Sequence, residues 1–166
     1  MNNPIIIDGS QGEGGGQMLR TSISMSAITG RAIHVVNIRA NRQSPGLKRQ
    51  HLTCVRAAAT ICGASVTGDA IHATEITFTP GPIQAGSYRF EVGSAGSVTL
   101  VAQTILPILL CADAPLRSRL WAEHMCRCRP PGISSHAPTY LNCTQWEFML
   151  KPISNGTVFI PQVEAK

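Results

Sequence analysis

Glu13 is the single carboxylate in a stretch that otherwise offers mostly backbone. In "GSQGEGGGQMLR", residues 9–20, Gly9, Gly12, Gly14, Gly15 and Gly16 surround it, and the stretch ends on Arg20. Glycine costs about 0.5–1 kcal/mol relative to alanine inside regular structure, so a run of it has a use. Two uses compete. The stretch is a solvent-exposed linker, or its bare amides hold an anion at the start of a helix. In the second case Glu13 repels the anion unless a cation lies between them. A Mg²⁺ shared by Glu13 and a nucleotide phosphate resolves that conflict, because Mg²⁺ takes one or two carboxylates plus phosphates. In the first case Glu13 is a solvent-facing glutamate in a flexible turn. The stretch is not a Walker motif, since no Gly-Lys-Ser/Thr follows. It is a poor dinucleotide fingerprint, since a ribose-binding acid about 20 residues on is missing.

A second group of polar residues, Arg39, Arg42, Arg49, Gln50 and His51, gathers around "NRQSPG" and the residues after it. No acidic residue lies between Glu13 and Asp69, an interval that holds Arg20, Arg31, Arg39, Arg42, Lys48, Arg49 and Arg56. Arginine forks a phosphate bidentately, and glutamine or histidine adds neutral donors. So compact a patch suits a terminal phosphate better than a long duplex. The competing reading is a solvated basic face, with His51 a hydrogen-bonded structural histidine. Gln103 interrupts an apolar run, either as a satisfied core polar group or as a side chain turned toward a bound base or phosphate. "HMCRC", with His124, Cys126 and Cys128, matches none of the common zinc spacings and is rejected as a metal site.

These residues need elements to hold them. "IIIDG" (5–9) reads as a strand ending in a turn. "QMLRTSISMSAITG" then places Leu19, Ile23 and Ala27 at helical spacing, with Gly30 as the stop. "AIHVVNIRA" (32–40) is β-rich, and "NRQSPG" (41–46) is a turn. "LKRQHLTCVRAAATICGA" is a strongly amphipathic helix with Leu52, Val55, Ala59 and Cys62 on its buried face and Arg49, Thr53, Arg56 and Thr60 on the other. "SVTG", "EITFTPG" and "SYRFEVG" read as strands, and an apolar helix follows from Val98. The order predicts an α/β layer of helices packed on a sheet. "IIIDG…GGGQMLR" and "FEVGSAGSVTL" are both strand, glycine-rich turn and helix, a weak echo that suggests duplicated units. From residue 119 no period is sustained.

Composition bounds the rest. The 166 residues, 43% hydrophobic and 14% charged with a net charge of +5, suffice for one domain with a real core. No N-terminal stretch combines a basic start with an apolar run, so no signal peptide is expected. The longest apolar stretch, Val98 to Ala112, is broken by Gln103, Thr104 and Pro107 and is short of the ~20 residues that span a bilayer. No membrane partner is expected. The first three of six cysteines sit in apolar, helix-like contexts, which suits reduced thiols and a cytoplasmic protein.

"DGSQGEGGGQMLR", "IRANRQSPGLKRQHLT", "FEVGSAGS" and "LVAQTILPILL" together resemble the N-terminal part of the RNA 3′-terminal phosphate cyclases, from about Ile5 to Pro115. The resemblance implies repeated αβ units like the C-terminal domain of translation initiation factor three, plus a small inserted domain. It implies a ligase of RNA processing that uses ATP and Mg²⁺ (or Mn²⁺) to turn an RNA 3′-terminal phosphate into a 2′,3′-cyclic phosphodiester. In that family ATP adenylylates a histidine, AMP passes to the 3′-phosphate, and the neighbouring 2′-hydroxyl displaces AMP. By the same resemblance Glu13 holds the metal, Gln103, Glu13, Gly14 and Gly15 meet ATP, and Arg20, Arg39, Arg42, Gln50 and His51 line the phosphate end. The alternative is a non-catalytic cyclase-like protein that binds RNA in ribosome assembly.

The resemblance breaks off near Ser118. The family continues with motifs absent from this sequence, yet the genetic code permits them in another frame. Taking the third base of each codon with the first two of the next, Trp121-Ala122 must give Gly, Met125-Cys126 Val and Trp146-Glu147 Gly. Permitted choices elsewhere spell GGTHVPMSPP from Trp121 and RHGFYPAGGG over 155–165. The expectation is an N-terminal part of the catalytic domain over 1–118 and an out-of-frame, poorly ordered tail over 119–166. The family's nucleophilic histidine lies further toward the C-terminus, so no catalytic residue is assigned, and the chain as written is expected to be inactive.

Overall fold

The computed structural model describes residues 3–84, 86–92, 95–112, 116–126 and 141–150. Strand β1 (Ile5–Asp8) leads through the glycine loop to helix α1 (Gly16–Thr29) and back to strand β2 (Ile33–Val36), which pairs parallel to β1. Helix α2 (Arg49–Cys62) follows, then strands β3 (Ser65–Thr67) and β4 (Ile76–Thr79). β4 lies antiparallel to both β2 and β3, giving a four-stranded sheet of order β1-β2-β4-β3. A second unit repeats the opening move. Strand β5 (Ser87–Val92), helix α3 (Ala95–Leu110) and strand β6 (Leu116–Cys126) form another parallel β–α–β, and strand β7 (Leu141–Leu150) pairs antiparallel to β6. The echo between the two glycine-rich stretches corresponds to these two units, and the fold is of the mixed α/β class.

The elements form for simple reasons. Leu19, Ile23 and Ala27 recur at i, i+4 and i+8 on α1 and are buried, while Gly30 stops the helix in the left-handed region at φ 68°. Ile33 and Val35 of β2 and Ile76 and Phe78 of β4 alternate inward with period two, under the helices. Leu52, Val55, Ala58, Ile61 and Cys62 of α2 close the same core, and Val98, Val101, Ile105 and Ile108 of α3 join it. The Ser24 hydroxyl donates to the Thr104 carbonyl at 2.7 Å, a buried polar tie between α1 and α3.

Three boundaries differ from the sequence expectation. Residues 32–40 are strand only over Ile33–Val36, because Asn37 (φ 54°) and Arg39 (φ 57°) are left-handed and break the extended chain. α3 starts at Ala95 and runs through Pro107. Proline lacks an N–H, so the Gln103 carbonyl has no intrahelical partner at i+4. Strands β6 and β7 occupy parts of the region where no period is sustained, and β6 runs across residue 118. The rest of the expected 119–166 tail, residues 127–140 and 151–166, lies outside the described residues.

Phe78 is fully buried, while Thr79 beside it faces outward. Phe78→Ala is expected to lower the unfolding free energy by about 3–5 kcal/mol and Thr79→Ala by under about 0.5, as read from urea denaturation.

Candidate functional site

Two helix N-termini meet, and neither is capped in the usual way. The N-cap of α1 is Gly15 and that of α2 is Lys48; no side chain accepts a hydrogen bond from the first-turn amides at Gly15, and neither first turn holds an acid. Free first-turn amides and the helix dipole favour negative charge at both ends.

His51 joins the two ends. Its backbone N–H donates to the Lys48 carbonyl at 2.9 Å, and its ring Nδ1 accepts the Lys48 backbone N–H at 3.1 Å. The imidazole thus fills the role that a Glu or Gln side chain plays in a capping box. An Nδ1 that accepts must be unprotonated, so in the neutral ring the proton sits on Nε2. That nitrogen is turned to Gly16, the first residue of α1, so closely that a Cβ there would overlap it. Gly16 is therefore required by close approach. His51 is only 2% exposed, and its pKa is lowered to about 4 by burial first, then by the charges of Arg39, Arg20 and Lys48.

The cations stand around this ring in different ways. Arg20 Nη1 lies about 3.1 Å from where a Gly16 Cβ would be, and Arg20 Nε is buried with no hydrogen-bond partner among the described residues. Arg42 brings Nη2 against Gly15 and lies 3.9 Å from Oε2 of Glu13. The Glu13 side chain is 96% exposed, so this pair contributes little to stability. Arg39 is a strut: its Nη1 donates to the carbonyls of Ser44 (2.8 Å) and Gly46 (3.0 Å), bracing the turn. The Lys48 ammonium donates to the Ser44 hydroxyl.

The glycine loop itself is pinned by residues the sequence reading passed over. Oδ1 of Asp8 accepts the Ser10 amide (3.0 Å), the Ser10 hydroxyl (2.8 Å) and Nδ2 of Asn37 (3.1 Å). These bonds hold the Asp8 carboxyl below its ordinary pKa. Asn41 donates from Nδ2 to the Ser10 carbonyl at 2.8 Å and packs on Gly14. An aspartate at the end of a strand, followed by Ser two residues on, was the available signal.

The structure thus gathers Glu13, Gly14, Gly15, Arg20, Arg42 and His51 at the two helix starts, with Arg39 behind them. Gln50 is half-buried and Gln103 exposed; neither side chain hydrogen-bonds with the cluster among the described residues. Gln103 sits beside Thr104, which ties to α1, and it carries the carbonyl that Pro107 leaves unpaired. Arg49, grouped by position in the chain with Arg42 and His51, lies where the helical spacing puts it, on the outer face of α2 with Thr53 and Arg56, lining a separate depression.

No group of three or more His, Cys, Asp or Glu side chains suited to a metal occurs among the described residues. Glu13 offers one exposed carboxylate. That donor set fits a Mg²⁺ or Mn²⁺ only where phosphate oxygens supply further ligands. Among the described residues no helix is long and apolar enough to cross a membrane.

Comparison with known proteins gives the family. The family model for RNA 3′-terminal phosphate cyclase matches residues 11–121. RNA 3′-terminal phosphate cyclases of Salmonella enteritidis and Salmonella typhimurium are each 58% identical over 113 residues, 68% of this chain and 33% of the relative. That of Salmonella heidelberg is 58% identical over the same length. The chain belongs to the RNA 3′-terminal phosphate cyclase family, and it spans about a third of the length of the curated relatives it matches.

The His51 geometry has a pH consequence. The folded ring stays neutral down to about pH 4, whereas an unfolded histidine takes its proton near 6.5. Between those values the unfolded chain binds more protons, so stability is lost as pH falls through that window. His51→Gln keeps an acceptor for the Lys48 amide but does not titrate. Urea melts from pH 4 to 7 are expected to give a shallower fall for His51→Gln than for the parent, and equal slopes would contradict the assignment.

Proposed function

We propose that this chain carries the 3′-phosphate end of an RNA 3′-terminal phosphate cyclase site, together with the carboxylate that shares a metal with ATP. The complete reaction is ATP-dependent conversion of an RNA 3′-terminal phosphate to a 2′,3′-cyclic phosphodiester, by way of adenylylated enzyme and RNA-AMP. The observation that carries this reading is that the start of α1, with no side-chain cap, and the start of α2, closed by the Lys48–His51 pair, come together at the Nε2–H of His51 against Gly16, where Arg20, whose buried Nε has no partner among the described residues, also approaches. A tetrahedral dianion supplies acceptors for all of these donors and offsets the mutual repulsion of Arg20, Arg39, Arg42 and Lys48. A neutral His51 donates one hydrogen bond without adding charge, so it does not have to lose a proton as the RNA leaves.

Within this proposal Arg20, Arg42, Gln50 and His51 hold the terminal phosphate, and Arg39 braces the loop that presents them. Glu13 holds Mg²⁺ or Mn²⁺ where the nucleotide phosphates complete its ligands. Gly14 and Gly15 let those phosphates approach the backbone. Gln103 meets ATP through its side-chain amide and its unpaired carbonyl. The metal supplies charge neutralisation between phosphate oxygens and Glu13. The residue that takes AMP is not among His34, His51, His72, His124 and His136 in this reading, and a buried His51 already committed at Nδ1 is poorly suited to it. The expected limit of the cyclase-like part near residue 118 is supported by a family match that stops at 121.

Binding of a fluorescent RNA ending in a 3′-phosphate, compared with the same RNA ending in a 3′-hydroxyl, tests the reading by anisotropy. The 3′-phosphate is expected to bind at least tenfold tighter, the gain to shrink with salt, and Arg42→Ala to remove most of it. Equal binding of the two ends would overturn the proposal. Incubation of the 166 residues by themselves with labelled ATP and Mg²⁺ is expected to leave no labelled protein band on a denaturing gel run at neutral to alkaline pH; a band stable in alkali and lost in acid, as a histidine phosphoramidate is, would show that a histidine of this chain is the nucleophile.

A further inference from the structure

The outer face of α2 carries a depression that the phosphate site does not use. Arg49, Leu52, Thr53 and Arg56 form one wall, and Asp69, Ala70 and Ile71, from the loop between β3 and β4, form the other. Its volume is about 330 Å³, at the lower end of the range of small-molecule sites. We propose that this depression binds the RNA strand a few nucleotides before its 3′ end, seating one base against Ile71 and Leu52 and a strand phosphate on Arg49. The inference rests on the reading that the 3′-phosphate sits at the His51 end of α2.

Three observations carry it. First, Arg49 and Arg56 have different duties. Arg56 donates from Nε to Oδ2 of Asp69 at 3.1 Å and from Nη2 to the Asp69 carbonyl at 3.2 Å, so its charge is spent holding the loop. The Arg49 guanidinium has no hydrogen-bond or ion-pair partner among the described residues and remains available to an anion. Second, Ile71 is 45% exposed on this loop, and Leu52 lies nearly buried in the wall opposite. An exposed apolar side chain offers a base a contact surface, and the free guanidinium beside it offers a phosphate a bidentate donor. Third, the position suits one continuous strand. At 3.6 residues per turn, Arg49 lies roughly 160° around α2 from His51 and within the same first turn. A helix with its side chains is about 10–12 Å across, so the way round its surface from one position to the other is roughly 15 Å, which a few nucleotides of a single strand cover. Among the described residues Asp69 is the one acid that lines the depression, and it is paired with Arg56.

The test measures affinity as a function of RNA length. Oligomers of one, three and six nucleotides, each with a 3′-phosphate and with a 3′-hydroxyl, compete against a fluorescent RNA on the full chain. Affinity is expected to rise tenfold or more from one nucleotide to three with either 3′ end. Arg49→Ala and Ile71→Ser, both exposed positions, are expected to cut that gain at least threefold while leaving the mononucleotide unaffected. Arg42→Ala is expected to do the reverse, weakening the mononucleotide 3′-phosphate and keeping the gain with length. A gain that survives the Arg49→Ala/Ile71→Ser double variant, with unchanged urea melts, overturns this inference. So does a base-free polyanion, heparin, that competes as well in the parent as an RNA of equal charge, which would make the face merely basic. Loss of the 3′-phosphate preference with the length gain intact would instead overturn the phosphate reading and leave this site standing.

Discussion

The backbone of Lys48 and the imidazole of His51 hold each other, and the candidate site depends on that pair. With one ring nitrogen accepting the N-cap amide, the other must carry a proton and must point away from α2. Gly16 then has to be glycine, because the ring occupies the space of its side chain. A bare α1 start follows, with amides facing the same region as the His51 donor. The same contact lies at the end of the α1–α2 packing, whose buried stripes, Leu19–Ile23–Ala27 and Leu52–Val55–Ala58, share one core.

Electrostatics then set what the site accepts. Burial disfavours a charged His51, and the charges of Arg39, Arg20 and Lys48 add to that effect, so the ring is neutral at physiological pH. The arginines divide their work. Arg39 is spent on the carbonyls of Ser44 and Gly46, Arg56 on Asp69, and Arg20 leaves Nε without a partner among the described residues. Strut and ligand have the same side chain, and only the distances tell them apart. The same division separates the two ends of α2's first turn: one faces the glycine loop, the other an open depression beside Ile71.

Much of the fold was legible because its periods are clean. The α1 stripe, the α2 stripe and the alternation in β2 and β4 are written in residue spacing, and glycine marks both helix stops. The pairing of glycine loop and basic patch was also legible, since the absence of acids from 14 to 68 is a property of the sequence. The outer face of α2, with Arg49, Thr53, Arg56 and Thr60, was legible from the same spacing. What could not be read was that His51, two residues from Arg49, is buried against Gly16 of the other helix. The support of Asp8, Asn37 and Asn41 for the loop was equally hidden, because it depends on two left-handed residues, Asn37 and Arg39, that interrupt a β-rich stretch.

The most direct test of the central claim follows individual atoms. An NMR titration with a nucleoside 3′-monophosphate, and in parallel with the nucleoside alone, would observe the Gly16 and Gln17 amides, the Arg20 Nε–H and the His51 ring. The account predicts saturable shifts at these groups with the 3′-phosphate only. It also predicts that His51 keeps its proton on Nε2 and its bond from the Lys48 amide throughout. Shifts that leave these four groups untouched while others move, or equal shifts with the unphosphorylated nucleoside, would contradict it.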